Sequence, residues 1–186
     1  MKLFIQNMAC IRCMKIVEYE LKKLGIKDFT VHSGEAEIRD NISEEQLEIF
    51  KLSIQNLGLE LIDDKTSIII EKIKNIIVEL VYQHEEAPKI NFSDHLVKKL
   101  GYDYKYLSNL FSASQGISIE KFLIKQRVER VKEMLIYNDI SINEISYKLN
   151  YSSVAHLSGQ FKKETGLTPS YFKQLHNKTL NKAVNQ

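Results

Sequence analysis

Hydrophobic and polar positions along the chain change period several times, and each change marks an element. Lys2-Leu-Phe-Ile-Gln6 alternates as a strand does. Cys13, Ile16, Val17, Leu21 and Leu24 then recur at helical spacing, and Gly25 ends them. Phe29–His32 and Glu35–Arg39 flank Ser33-Gly34 as the two arms of a hairpin. Ser43-Glu-Glu-Gln46 is a capping box that opens a helix with Leu47, Phe50, Ile54 and Leu57 on one face, and Leu59–Ile62 closes as a strand. From Thr66 the period is helical throughout. Ile69, Ile73, Ile76, Ile77 and Leu80 form one stripe, broken by Glu71, Lys72, Lys74 and Glu79, which exclude a membrane span. After the loop starting at His84, Ser93 is expected to cap a helix with Leu96, Val97 and Leu100. A helix over 104–114 turns Leu107, Leu110 and Phe111 inward, and a long amphipathic helix over 118–137 carries Phe122, Leu123, Val131, Met134 and Leu135. Ser141-Ile-Asn-Glu144 is a second capping box, opening a short helix with Ile142, Ile145 and Leu149 inward. A tight Asn150-Tyr-Ser turn leads to a helix capped by Ser152 or Ser153, with Leu157 and Phe161 inward and Gly166 as its stop. Thr168 and Pro169 start a last helix with Tyr171, Phe172 and Leu175, and the polar residues 177–186 are expected to fray.

The order βαββαβ, then helices only, predicts an α+β chain. A ferredoxin-like βαββαβ domain would occupy residues 1–65, and an all-α domain with two helix-turn-helix units residues 66–178, with a flexible tail over 179–186. At 186 residues and 44% hydrophobic content the chain can bury two small cores. The stripe over 69–80 is expected to pack the first helix of the second domain, with a dimer seam as the alternative. The formal charge of +2 is uneven: residues 1–65 hold nine Lys/Arg against twelve Asp/Glu, whereas residues 66–186 hold 17 against 12. Only the second part leans towards polyanions. No long apolar run occurs and the N-terminus lacks the order of a signal peptide, so a cytoplasmic protein is expected. Nothing in the sequence offers a phosphate loop or an acid–base pair in a catalytic pattern, so an enzyme is not expected.

Cys10 and Cys13 are the two cysteines of the chain, at the start of the first helix. Thiolates are soft ligands, and two of them suit Cu(I) or another soft metal ion in low coordination, whereas structural zinc takes about four ligands. His32 is the sole histidine before residue 84, which argues against a closed zinc site here. A redox dithiol is the alternative chemistry, although residues 1–65 contain no proline and the chain no tryptophan. Met8-x-Cys10-x-x-Cys13, between the first strand and first helix, resembles the heavy-metal-associated domain of copper chaperones and metal-transporting ATPases. Asn7 stands where that family usually has glycine.

A second resemblance covers the C-terminal half. Ile145-Ser-x-x-Leu-x-Tyr-Ser-Ser-x-x-His-Leu-Ser-x-x-Phe161-Lys-Lys-x-x-Gly-x-Thr-Pro-x-x-Phe-Lys173 is similar to the AraC-type DNA-binding domain, and Tyr106-Leu-Ser-Asn-Leu-Phe111 with Gly116 and Ser118 to its first half. Ser146 stands for the usual alanine, Asn150 for the usual glycine, and Gly159 and Asn109 for a frequent arginine. The resemblance implies a transcription regulator that binds double-stranded DNA, as monomer or homodimer, with RNA polymerase as a candidate partner and no membrane role. Two recognition helices on one connector would enter successive major grooves about 34 Å apart. Ser108, Asn109, Ala155, His156, Ser158 and Gly159 would face bases, Lys105, Lys162 and Lys163 phosphates, and Ser153 would join them at the DNA, with Lys98, Lys99 and Lys173 as further phosphate candidates. Together the two resemblances imply a regulator responsive to a soft metal. A metal-delivery protein and a dithiol oxidoreductase are the competing readings.

Overall fold

The computed structural model describes residues 1–82, 91–137 and 140–184, with side chains to residue 177. The expected loop from His84 lies outside the described residues. Compact packing divides the chain into two units: Met1–Ile76 with Leu96–Tyr102, and the described parts of Ile77–His95 and Asp103–Gln186.

The first unit opens with strand β1 (Lys2–Gln6), helix α1 (Ile11–Lys23), strands β2 (Phe29–His32) and β3 (Glu35–Ile38), helix α2 (Glu44–Gln55) and strand β4 (Glu60–Ile62). All strand pairs are antiparallel in the order β2-β3-β1-β4, with Phe4 opposite both Glu35 and Ile62. Alternation along β1 sends Leu3 and Ile5 into a core with Ala36 and Ile38, against Val17 and Leu21 of α1 and Phe50 and Ile54 of α2. Phe4 points to the opposite face, where Lys72 Nζ of α3 (Lys65–Tyr82) sits 5.0 Å from its ring centroid. Two sequence expectations change here. Leu57 is 51% exposed because α2 ends at Gln55 and Gly58, at φ 79°, turns the chain so that Leu59 fills the core instead. The stripe of α3 divides: residues as far as Ile76 group with the sheet, beyond the boundary expected at residue 65, and those from Ile77 with the second unit.

Helix α4 (Phe92–Leu100) begins one residue before Ser93. Asn91 takes the capping role expected of Ser93, its Oδ1 accepting the Ser93 N–H at 3.1 Å. The remaining helices are α5 (Tyr104–Gln115), α6 (Ile119–Tyr137), α7 (Ile142–Lys148), α8 (Val154–Thr165) and α9 (Pro169–Val184). Helix α9 continues through Val184, where the sequence predicts a frayed tail from 177. The core of the second unit joins Val128, Val131, Met134 and Leu135 of α6 to Ile145, Leu149, Leu157 and Phe161. No described helix is long and apolar enough to cross a membrane.

Candidate nucleic-acid interface

Local chemistry sets α7 and α8. Ser141 and Glu144 form a reciprocal capping box, Ser141 N–H donating to Glu144 Oε2 at 2.7 Å and Glu144 N–H to Ser141 Oγ at 3.2 Å. The helix ends where Asn150 enters the left-handed region at φ 54° and Tyr151 N–H donates to Ser146 O at 2.9 Å. Asparagine is among the few non-glycine residues that take this conformation readily, which explains how it serves at a turn where glycine is usual. Of the two serines expected as cap, Ser153 does it, accepting the His156 N–H at 3.1 Å. Ser152 Oγ instead lies 3.0 Å from His156 Nδ1. With Leu157 and Phe161 fully buried, α8 turns Ala155, His156, Gly159, Lys162 and Lys163 outward, and Ser158 is half-buried. Gly166, at φ 79°, closes the helix.

His156 is held as well as exposed. Its ring meets that of Tyr151 edge-on at 5.4 Å, and the Arg127 guanidinium carbon stands 5.9 Å from the Tyr151 centroid. Burial pushes the Tyr151 hydroxyl up to about 12 against the opposing pull of Arg127. Burial also lowers the Arg127 pKa. Among the described residues, the buried Tyr151 hydroxyl has no hydrogen-bond partner.

Helix α5 repeats the design of α8. Asp103 caps it through the Lys105 and Tyr106 N–H groups at 2.8 and 3.3 Å, Leu107 and Phe111 are fully buried, and Gly116 at φ 68° ends it. Counting from the caps Asp103 and Ser153, Lys105 corresponds to Ala155, Tyr106 to His156, Ser108 to Ser158, and Asn109 to Gly159. Lys105 and Asn109 are exposed and Ser108 half-buried, so the expected set lies along the outer sides of two equivalent helices. Tyr106, absent from the residues expected at the interface, joins them at 46% exposure. Its signal in the sequence is an offset of three from the cap, the same as that of His156. Both helices are anchored on α6: Phe111 packs edge-on against Phe122 at 5.6 Å, Tyr104 bonds Glu120, and Lys121 bonds Glu164 of α8. A Cβ added at Gly159 would meet nothing within 4 Å, so this stretch of α8 faces open space.

The cysteine pair belongs to the first unit. Cys10 is the N-cap of α1, its Sγ accepting the Cys13 N–H at 3.3 Å, and the two sulfurs are 2.8 Å apart. Desolvation raises both thiols, but at Cys10 the side-chain and backbone hydrogen bonds of Cys13 and the charge of Arg12 outweigh it, so Cys10 ionises first. At Cys13 desolvation and the neighbouring Cys10 act together and raise the pKa. Met8, part of the motif in sequence, is fully buried in the core. Among the described residues no group of three or more His, Cys, Asp or Glu side chains could hold a metal. The donor set is thus two soft sulfurs, which suits a soft ion in low coordination and falls short of a structural zinc site.

Two capped helices of matching pattern, each with a polar outer side and a common connecting helix, define a helix-turn-helix protein. Residues 96–175 match the family model of the helix-turn-helix domain. An uncharacterized HTH-type transcriptional regulator of Bacillus subtilis, YtdP, is 28% identical over 104 residues, 56% of this chain and 13% of that protein. The Msm operon regulatory protein of Streptococcus mutans is 28% identical over 116 residues, 62% of this chain and 40% of its own length. The F1 operon positive regulatory protein of Yersinia pestis is 31% identical over 101 residues, 54% and 33% of the two chains. This chain therefore spans well under half the length of these curated relatives. In fold, it is similar to the C-terminal domain of AraT, a response regulator from Geobacillus stearothermophilus, at a TM-score of 0.52 and 23% identity over 60% of this chain and 88% of that one. Residues 96–175 thus carry the sequence pattern and the fold of a helix-turn-helix domain.

Proposed function

We propose that the protein is a cytoplasmic, sequence-specific DNA-binding transcription regulator whose first unit is a ferredoxin-like, heavy-metal-associated-type domain that responds to Cu(I) or another soft metal. The observation that carries the DNA-binding half is the paired outer sides of α5 and α8, equivalent position by position from their caps. Lys105, Lys162 and Lys163 supply phosphate contacts, which give affinity and register. Asn109 and His156 supply hydrogen-bonding groups to base edges, and Ser108, Ser153, Ala155, Ser158 and Gly159 complete the reading surface. His156 is pre-oriented by Ser152 and Tyr151, so little side-chain entropy is lost on contact.

The metal-binding half is supported by the βαββαβ order, the strand order β2-β3-β1-β4 and the placement of Cys10 and Cys13 at the start of α1. Cys10 and Cys13 would hold the ion, which supplies a positive charge and a link between two soft donors. The loop before them is tied to α3, because Asn7 N–H donates to Glu71 Oε1 at 2.8 Å, and α3 runs unbroken from Lys65 to Tyr82. Typical coupling of about 1–3 kcal/mol makes one bound ion change DNA affinity by roughly 5- to 150-fold. The test is binding of the full chain to DNA upstream of its own coding region, at several salt concentrations, with and without stoichiometric Cu(I) under anaerobic conditions. Salt-dependent binding that changes with Cu(I) in the wild type and not in Cys10→Ser/Cys13→Ser is the expected result. Absence of DNA binding at low salt removes the first half, and tight Cu(I) binding with unchanged DNA affinity removes the second, leaving metal delivery as the better reading.

A further inference from the structure

The first unit contains a cleft of about 360 Å³ that neither the DNA-reading helices nor the cysteine pair uses. Its floor is apolar, made by Phe4 on the non-core face of β1, Ile68 and Ile69 of α3, and Leu100 of α4. Its polar lining is Lys65, Lys72 and Lys99, with Tyr102 beside them, and among the described residues no carboxylate lines it. Lys72 Nζ is oriented by the Phe4 ring, 5.0 Å away, rather than by an acid. Lys72 is half-buried and Lys65 lines the same cleft, so an anion placed there is attracted by both ammonium groups. The volume falls in the range of small-molecule sites, which pair an apolar lining with a few converging polar groups.

We propose that this cleft binds a small organic anion, a carboxylate, sulfonate or phosphate ester with an apolar body, whose hydrocarbon lies on Phe4, Ile68 and Leu100 while its charge meets Lys72 and Lys65. An inorganic anion leaves the apolar floor wet, and a neutral hydrocarbon makes no charge contact with Lys72 and Lys65. Both parts of the ligand are therefore required. The site is independent of DNA reading and of metal binding, so it stands or falls without them.

The test is titration of the full chain with 8-anilinonaphthalene-1-sulfonate, followed by its fluorescence. One saturable site is expected, with octanoate displacing the probe and octanol failing to. Lys72→Gln is expected to weaken binding roughly tenfold or more, whereas Lys72→Arg, which keeps the charge, binds as wild type and separates a charge effect from a folding effect. Ile68→Trp, which fills the floor and leaves the lysines, is expected to abolish binding while circular dichroism is retained. The proposal is overturned by equal binding in Lys72→Gln and wild type, or by octanol competing as well as octanoate, which reads the cleft as merely apolar. It is overturned equally if a double-stranded oligonucleotide displaces the probe and octanoate does not, which assigns the lysines to DNA phosphates.

Discussion

Gly159 offers the sharpest test of which side of α8 faces the ligand. It lies inside the helix, where glycine is less favourable than alanine by about 0.8–1.0 kcal/mol. A Cβ there would meet no atom within 4 Å, so no clash or cavity offsets the gain. Gly159→Ala is therefore expected to stabilise the protein by about 1 kcal/mol, read as a higher urea midpoint at unchanged m-value. Amides of α8 should show about fivefold greater hydrogen-exchange protection where exchange runs through opening of this unit. A fall in stability would mean that Gly159 is kept for backbone approach by a neighbour, and the open-face assignment would be refuted.

Gly159→Arg extends the test to DNA. A guanidinium that meets a phosphate steepens the fall of log K against log salt by about 0.9. One that meets a guanine edge shifts sequence preference by about 1–3 kcal/mol instead. If the variant is folded and neither slope nor preference moves, the outward side of α8 does not face DNA and the orientation proposed for it is wrong.

Three further outcomes follow from the geometry. Tyr151→Phe should be neutral or slightly stabilising in urea, because the buried hydroxyl it removes has no partner, whereas loss of more than about 1 kcal/mol would reveal a bond to that hydroxyl. Cys13→Ala removes the side-chain hydrogen bond that holds the Cys10 pKa down, so Cys10 should be alkylated by iodoacetamide with a higher pH midpoint; an unchanged midpoint would sink this account of its acidity. Glu71→Ala should cost about 1–3 kcal/mol by orphaning the Asn7 N–H, and Glu71→Gln, which keeps an acceptor oxygen, should cost clearly less; equal losses would place the cause elsewhere.

The features legible in the sequence are those whose causes are local. Both capping boxes form as their spacing requires, because Ser43 and Gln46, like Ser141 and Glu144, need only each other. Leu57 departs from its expected burial because a stripe can outrun its helix, and Ser93 yields the cap because Asn91, two residues earlier, is an equally good one. The stripe of α3 cannot be apportioned by period alone: Ile69, Ile70, Ile73, Ile76, Ile77, Leu80 and Val81 are all buried, and which unit covers each depends on tertiary packing. Glu71 reads in sequence as a charge interrupting an apolar run. It is 5% exposed, and its partner Asn7 lies 64 positions away, a pairing no local pattern contains. At the cysteines the motif is legible and the division of labour is not, since the hydrogen bonds of Cys13 to Cys10, helped by Arg12, hold the Cys10 thiol down.

Asn7 and Asn150 connect the two resemblances physically. Each stands where the resembled family has glycine, and each has positive φ, 65° and 54°. Glycine reaches that region without steric cost, and asparagine is the side chain that reaches it with little. Both turns therefore reach the left-handed region at little steric cost, while asparagine leaves the unfolded chain fewer conformations to lose than glycine would. At Asn7 the substitution does more than tolerate the turn. Its Nδ2 donates to Gly58 O at 3.2 Å while its N–H is held by Glu71, so the entry to the cysteine loop is tied both to the segment leading into β4 and to α3. A glycine would supply the backbone bond and not the side-chain one. The departure at residue 7 therefore makes the cysteine loop more firmly referenced to the rest of its unit, which is the property a loop needs if a change at Cys10 is to be felt beyond it.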